Sequence, residues 1–262
     1  MHTGSESILL THIENGIATI TLNRPQARNA LSTQLMSALE EALAAVGTNP
    51  AAKVVVLAAN GPAFCAGHDL KQMSALQGRE AVAEVFSQCS RMMKAIVRLP
   101  QPVIAKVHGM ATAAGCQLVA SCDLAFAAED AQFATPGVNI GLFCSTPMVA
   151  LSRAVGRKQA MELLLLGTPV NAATAEKWGL INRAVAADQL DQVVADAAAT
   201  IASKSSYTVK VGKEAFYRQA EMGLDDAYDH ASEVMTTNML ARDAVEGIDA
   251  FITKRPPVWT GC

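Results

Sequence analysis

The period of the apolar positions changes several times along the chain, and each change predicts an element. "GIATITLNRP" (16–25) alternates and carries β-branched residues at Ile17, Thr19, Ile20 and Thr21, which predicts a strand ending at Pro25. Leu35, Leu39, Leu43 and Val46 then recur at helical spacing behind Ser32, a natural N-cap, and Gly47 marks the stop. "KVVVLAA" is a continuous apolar run, as in a strand covered on both faces. After the turn "NGPAFCAGHDL" come a long helix from about Arg79 to Val97 and a proline-bounded strand, "PVIAKVHG". In "HGMATAAGCQLVASCD" (108–123), small residues lead into a short apolar helix, Cys116 to Ser121. "DLAFAAEDAQFATP" predicts one strand and a shorter one around Phe133. Past Pro147 the pattern turns helical: one helix ends at Gly167, another runs from Asn171 to Gly179, and "LINRAV" is a lone strand. From Gln189 onward everything reads as helix, broken near Ser205, Gly223 and Arg242. The expectation is an α/β protein with an all-helical C-terminal segment. Met235, Met239, Leu240, Ile248 and Phe251 on the last helices need a surface to cover, in their own core or on a neighbouring subunit.

Composition narrows the class. In 262 residues, 51% are hydrophobic and the net charge is −3, which suits a soluble protein with a closely packed core and offers no general attraction to nucleic acid or an anionic membrane. No stretch is long and apolar enough to span a bilayer. "MHTGSESILL" lacks a basic segment followed by a long apolar run, so a cytoplasmic location is expected. Cys65, Cys89, Cys116, Cys122, Cys144 and Cys262 fall at no metal-binding spacing and read as reduced thiols. The histidines are scattered, and no metal site is expected.

Two loops share a design. "AFCAGHDL" (63–70) follows a buried strand, and "ATAAGCQL" (111–118) follows another; both bring small residues to a strand-to-helix turn. Backbone N–H groups exposed at such turns, if they converge on one carbonyl oxygen, would stabilise negative charge developing there. Small residues also serve close packing, so each loop alone is weak evidence.

With their flanks, these loops resemble the crotonase superfamily, the enoyl-CoA hydratase/isomerase family. The likeness spans nearly the whole chain: "ITLNRPQARNAL", "AFCAGHDLKQM", "QPVIAKVHGMATAAGCQLVASCDLAFAAEDAQFATP", "GRKQAMELLLLG", A-x-x-A-x-x-W-G-L-I-N-R and "AVEGIDAFITKRPPVW". It implies a spiral of β-β-α units over residues 1–200 and a helical trimerisation region over 201–262, assembling as trimers or pairs of trimers. It implies a coenzyme A thioester as substrate and no tightly bound cofactor. The thioester oxygen is expected between the N–H groups of Ala66 and Ala114. The loop from Ala63 through Gly67, His68, Asp69 and Leu70 is expected to curl around the adenine end, with Gly115 beside it. Arg24, Arg28 and Lys71 are placed to meet phosphates, and Phe251 and Lys254 to reach a neighbouring subunit's coenzyme A.

The same resemblance exposes a departure. Hydratases of this family use two glutamates. The first belongs in G-C-E-L, where this chain has Gln117; the second belongs after the proline of F-x-x-P-E, where it has Gly137. A third position, used by some isomerases, corresponds to about Ser145. None of the three ionises near neutral pH. A positioned acid or base contributes about 10²–10⁴-fold, so ordinary hydration should nearly vanish. His68, which titrates near neutrality when unperturbed, is a substitute acid or base; Cys144, Ser145 and Thr146 are polar residues near the acyl end. Met73, Met110 and Met148 lie on the expected acyl side. Three readings remain: a hydratase/isomerase-type lyase of fatty-acid or related acyl-CoA metabolism, another reaction on the fold such as thioester hydrolysis or decarboxylation, or a binding protein without turnover.

Overall fold

The structure is a computed structural model that describes residues 7–262. Its strands are β1 (Leu9–Glu14), β2 (Ile17–Leu22), β3 (Val54–Ala59), β4 (Ala63–Cys65), β5 (Val103–Val107), β6 (Met110–Thr112), β7 (Leu124–Ala128), β8 (Gln132–Ala134), β9 (Val170–Asn171) and β10 (Arg183–Val185). Its helices are α1 (Thr33–Gly47), α2 (Leu70–Ala75), α3 (Gly78–Arg98), α4 (Ala114–Ser121), α5 (Pro147–Ala154), α6 (Arg157–Leu166), α7 (Ala172–Trp178), α8 (Leu190–Ala202), α9 (Ser206–Gln219), α10 (Leu224–Met239) and α11 (Arg242–Thr253).

Successive strands alternate between two sheets. One is ordered β1-β2-β3-β5-β7-β10, the other β4-β6-β8-β9. Thus β3 feeds β4, β5 feeds β6 and β7 feeds β8, and the chain advances as a spiral of β-β-α turns. Within the first sheet β2, β3, β5, β7 and β10 run parallel, and β1 joins β2 antiparallel. The β1–β2 hairpin is absent from the periodicity reading. Its signal is Asn15-Gly16, where both residues hold positive φ (52° and 81°), the two-residue turn whose twist matches a hairpin.

Elsewhere the pattern survives closely. Ser32 caps α1 by accepting the Leu35 N–H (3.2 Å), and its stripe is buried. Asn171 caps α7 (2.8 Å to the Thr174 N–H), and α6 and α7 end at Gly167 and Gly179, both left-handed. The main core lies between the two sheets and α1, α3 and α4, around Leu22, Leu35, Phe64, Met92 and Phe133. A second core forms where α8 covers the other face of the first sheet, Val194 and Ala198 against Val54, Ile104 and Phe126.

Two acids, Asp123 half-buried and Asp243 buried, tie the last helices down. Asp123, just past α4, accepts hydrogen bonds from Val103 N (2.6 Å), Lys213 Nζ (2.7 Å) and Tyr217 Oη (2.9 Å), so α9 is pinned to the spiral. Lys213 also donates to the carbonyls of Ile96 (3.1 Å) and Gln101 (2.9 Å), which fills its donor capacity. Asp243 accepts from Ser205 Oγ (2.5 Å), Thr260 N and Oγ1 (both 2.7 Å) and Gly261 N (3.0 Å), folding the C-terminal tail back over α11. Otherwise α9 and α10 bury no residue fully, and Phe216, Leu224, Tyr228, Met235, Met239, Leu240 and Phe251 stay exposed in the single chain. Among the described residues, no helix is long and apolar enough to cross a membrane.

Candidate active site

The two small-residue loops meet because β4 and β6 are parallel neighbours, Ala63 opposite Met110 and Cys65 opposite Ala111. Both loops leave the sheet at carboxyl ends of adjacent strands, where ligand sites of parallel sheets collect. Glycine lets them close up. A Cβ on Gly115 would sit 2.1 Å from the Cys65 carbonyl oxygen, and one on Gly67 would sit 2.8 Å from Ala113 Cβ and 3.2 Å from Ala114 N. Gly67 also holds φ +85°, which penalises any side chain there. Ala66 and Ala114 are thus on loops in van der Waals contact.

Their N–H groups are not equivalent. Helix α4 begins at Ala114, two residues earlier than the pattern predicts, so Ala114 is the first helical residue and its N–H is one of the helix's unpaired donors. It has no acceptor among the described residues. The Ala66 N–H, by contrast, donates to the Arg28 carbonyl at 3.0 Å. The residue that aims α4 is Ala113, at φ 51° and ψ −118°, a conformation costing about 1–3 kcal/mol for a side chain. Hydrogen bonds from Ala113 N to Ala134 O (2.8 Å) and from Gln117 N to Ala113 O (3.0 Å) hold it there.

Gln117 lies one turn into α4, buried, with Oε1 enclosed and unpartnered. Gly137 is also buried, and the 137–144 loop has closed over it. A Cβ there would meet the Leu142 carbonyl oxygen at 2.7 Å and Cys144 Sγ at 2.9 Å. This glycine is therefore part of a tight packing arrangement that leaves no room for a longer side chain.

Packing and burial constrain the substitute proton carriers. His68 packs its ring edge-on against Phe86 of α3 (centroids 5.4 Å), with Nε2 buried and unpartnered. Burial lowers its pKa, so it is neutral at pH 7. Burial raises the Cys144 thiol, partly offset by the Gly137 N–H. Cys65 and Cys116, beneath the loops, are pushed up to about 12 by burial. A thiolate nucleophile is disfavoured at all three. Ser145 is exposed, its Oγ donating to the Phe143 carbonyl (3.3 Å), and Thr146 leads into α5. Among the described residues, no group of three or more histidines, cysteines or acids clusters as a metal site.

The charged candidates divide in two. Arg24 spends its guanidinium inside the loop, donating to the Ala30 carbonyl (2.6 Å) and to Asp69 (3.2 Å), while Asp69 caps α2 at the Gln72 N–H (3.3 Å). Arg24 is thus a brace in the free protein, whereas the Arg28 and Lys71 side chains are exposed. Ala63 is buried in β4, Leu70 exposed, Met73 half-buried, and Met110 and Met148 exposed. Phe251 and Lys254 are exposed on and just after α11.

Sequence reasoning overlooked Asn29. It is buried in a left-handed conformation (φ 53°), accepts the Arg24 N–H at 2.8 Å, and donates to the carbonyls of Asn60 (2.8 Å) and Ala63 (2.9 Å). It staples the 24–31 loop to the first site loop. Its signal was an asparagine, the residue most tolerant of positive φ after glycine, inside a turn.

Comparison with known proteins agrees with this architecture. The enoyl-CoA hydratase/isomerase family profile matches residues 12–262. The mitochondrial enoyl-CoA hydratase domain-containing protein 3 of Rattus norvegicus is 47% identical over 250 residues, covering 95% of this chain and 83% of the relative. The crystal structure of an enoyl-CoA hydratase from Mycobacterium smegmatis superposes with TM-score 0.95 at 51% identity, covering 97% of this chain and 99% of that one. That of human enoyl Coenzyme A hydratase domain-containing protein 3 gives TM-score 0.94 at 46% identity, covering 97% and 100%. The expected cytoplasmic location is overturned: the rat relative and its mouse and human namesakes are named as mitochondrial. The N-terminal reading had weighed only a secretory pattern, which does not separate cytosol from organelle.

Proposed function

The chain belongs to the enoyl-CoA hydratase/isomerase family, and on that premise we propose that it binds a coenzyme A thioester at the junction of its two small-residue loops without the proton chemistry of ordinary hydration. One observation carries this reading: the unpartnered Ala114 N–H at the start of α4, with an amide, Gln117, on the turn behind it. A thioester oxygen accepting from Ala114 gains a donor that is already oriented and backed by the helix dipole. The Ala66 N–H joins it when the ligand displaces or shares the Arg28 carbonyl. Arg28 and Lys71 are available for the phosphates.

Gln117 donates and accepts hydrogen bonds but moves no proton, and Gly137 supplies no side chain. His68 is neutral and packed edge-on against Phe86, and Cys144 is a thiol. The exposed apolar positions of α10 and α11 support self-association as a trimer or pair of trimers. Calorimetric titration with octanoyl-CoA should give saturable binding, and crotonyl-CoA should be hydrated orders of magnitude more slowly than by a glutamate-bearing relative. Absence of binding, or hydration at the relative's rate, overturns the reading.

A further inference from the structure

A cavity that shares Gln117 with the candidate site, though not Ala66 or Ala114, bears on the acyl group. It has a volume of about 850 Å³ and lies between α4, the end of α3, α5 and α9. Helix α4 presents Gln117, Ala120 and Ser121 to it, at the spacing of a single helix face. Ala114 is one turn earlier on that face. From Ala114 to Ser121, α4 rises about 10 Å, so an acyl chain leaving the carbonyl at Ala114 passes Gln117 and enters the cavity along the helix.

Two features of this cavity are unusual for a plain hydrocarbon tail. The first is the Gln117 Oε1, on a residue only 5% exposed, with no partner. An enclosed amide oxygen without a donor is destabilising, and a ligand hydroxyl or ligand-borne water removes that cost. The second is charge. Six cations line the cavity against two acids, in a chain whose net charge is −3. Arg153 is held by Glu221 and Lys213 by Asp123. Lys94 and Arg98, one turn apart at the end of α3, and Lys210 and Arg218 on α9 have no acidic partner among the described residues. Glu214 is the one lining acid left to oppose them.

Resting on the proposed thioester binding, we propose that the acyl group is that of a dicarboxylic acid half-thioester. Its free carboxylate faces Lys94, Arg98, Lys210 and Arg218, while Gln117 takes a hydrogen bond from a hydroxyl or water on the chain. Four cations without acidic partners lining one cavity favour an anion there over the uncharged end of a fatty acyl chain.

The test is calorimetric titration with suberoyl-CoA and octanoyl-CoA, which match in length and differ in the terminal carboxylate. Suberoyl-CoA should bind about tenfold more tightly at low ionic strength, with the preference shrinking in salt. In the Arg98→Gln/Lys210→Gln double variant, both sites being exposed, the ratio of the two affinities should fall to near one. Equal or weaker binding of suberoyl-CoA by the unaltered protein, or a preference that survives the double variant, overturns the assignment while leaving thioester binding intact. Failure of both ligands to bind removes the thioester reading, and this assignment with it.

Discussion

Gly115→Ala and Gly212→Ala make the same chemical change on two helices and should have opposite effects. A methyl at position 115 lands 2.1 Å from the Cys65 carbonyl oxygen and 2.8–2.9 Å from two further Cys65 atoms. Ordinary contact begins at 3.4 Å, so the two site loops must separate by about 1 Å. Overpacking of this kind costs about 1–3 kcal/mol, and the helix preference of alanine, about 0.5–1 kcal/mol at best, does not offset it when rigid backbone is the obstacle. A net loss of about 2 kcal/mol should lower Tm by roughly 4–8 °C in a chain of this size. At Gly212, mid-way along α9, an added Cβ meets nothing within 4 Å. That variant should gain about 0.5–1 kcal/mol from reduced backbone freedom in the unfolded chain. The measurements are thermal unfolding of both variants and octanoyl-CoA titration of Gly115→Ala, whose affinity should drop tenfold or more because the Ala114 donor moves with α4. Gly115→Ala unfolding at or above the wild-type temperature, with binding intact, would refute the claim that glycine is there for the close approach of the loops.

Three further outcomes follow from the same structure. The Gln117→Glu/Gly137→Glu pair should not restore hydration: the Gly137 site is closed by the Leu142 carbonyl and Cys144, so the variant should lose about 1–3 kcal/mol in urea unfolding; crotonyl-CoA hydration well above background would show that the loop opens. Asp243→Asn should cost about 3 kcal/mol, since four donors lose a charged acceptor. Those bonds, opposed by burial, lower the Asp243 pKa to about 2. Its stabilisation is therefore complete above about pH 4 and is lost as pH falls toward 2, so the variant's unfolding free energy should vary less across that window, and an unchanged slope would contradict the role. For His68 burial lowers the folded pKa, so the unfolded chain takes up its proton first: its contribution is complete above about pH 6.5 and fades as pH falls below that. His68→Phe should flatten the stability profile between pH 7 and 5 in denaturant titrations; an unaltered slope there would count against a buried neutral imidazole.

Most elements were legible in the chain because their signals are local. The Ser32 cap, the apolar stripe of α1, the run of β3 and the glycine stops of α6 and α7 each depend on residues within one or two turns, and all reappear in the structure. The short strands β4 and β6 carry no such signal, because three residues show no period and become strands only by pairing, β4 with β6 and β6 with β8. The start of α4 was read two residues late for a related reason: Ala113 has no intrinsic preference for φ 51°, and the bond to Ala134 on β8 imposes it.

The candidate site divides the same way. Sequence alone determined that two loops of small residues precede short helices and that positions 117 and 137 hold an amide and a glycine, since residue identity needs no fold; that a hydratase keeps its acids there is what the family resemblance implies. Tertiary structure decided which donor is free and which is spent. It paired Ala66 with Arg28, Arg24 with Asp69 and His68 with Phe86, and it sealed Gly137 beneath Leu142 and Cys144. It also gathered four unpaired cations from α3 and α9, more than a hundred residues apart, around one cavity beside Gln117. Such partnerships depend on distances set by packing across the spiral, and no period along the chain encodes them.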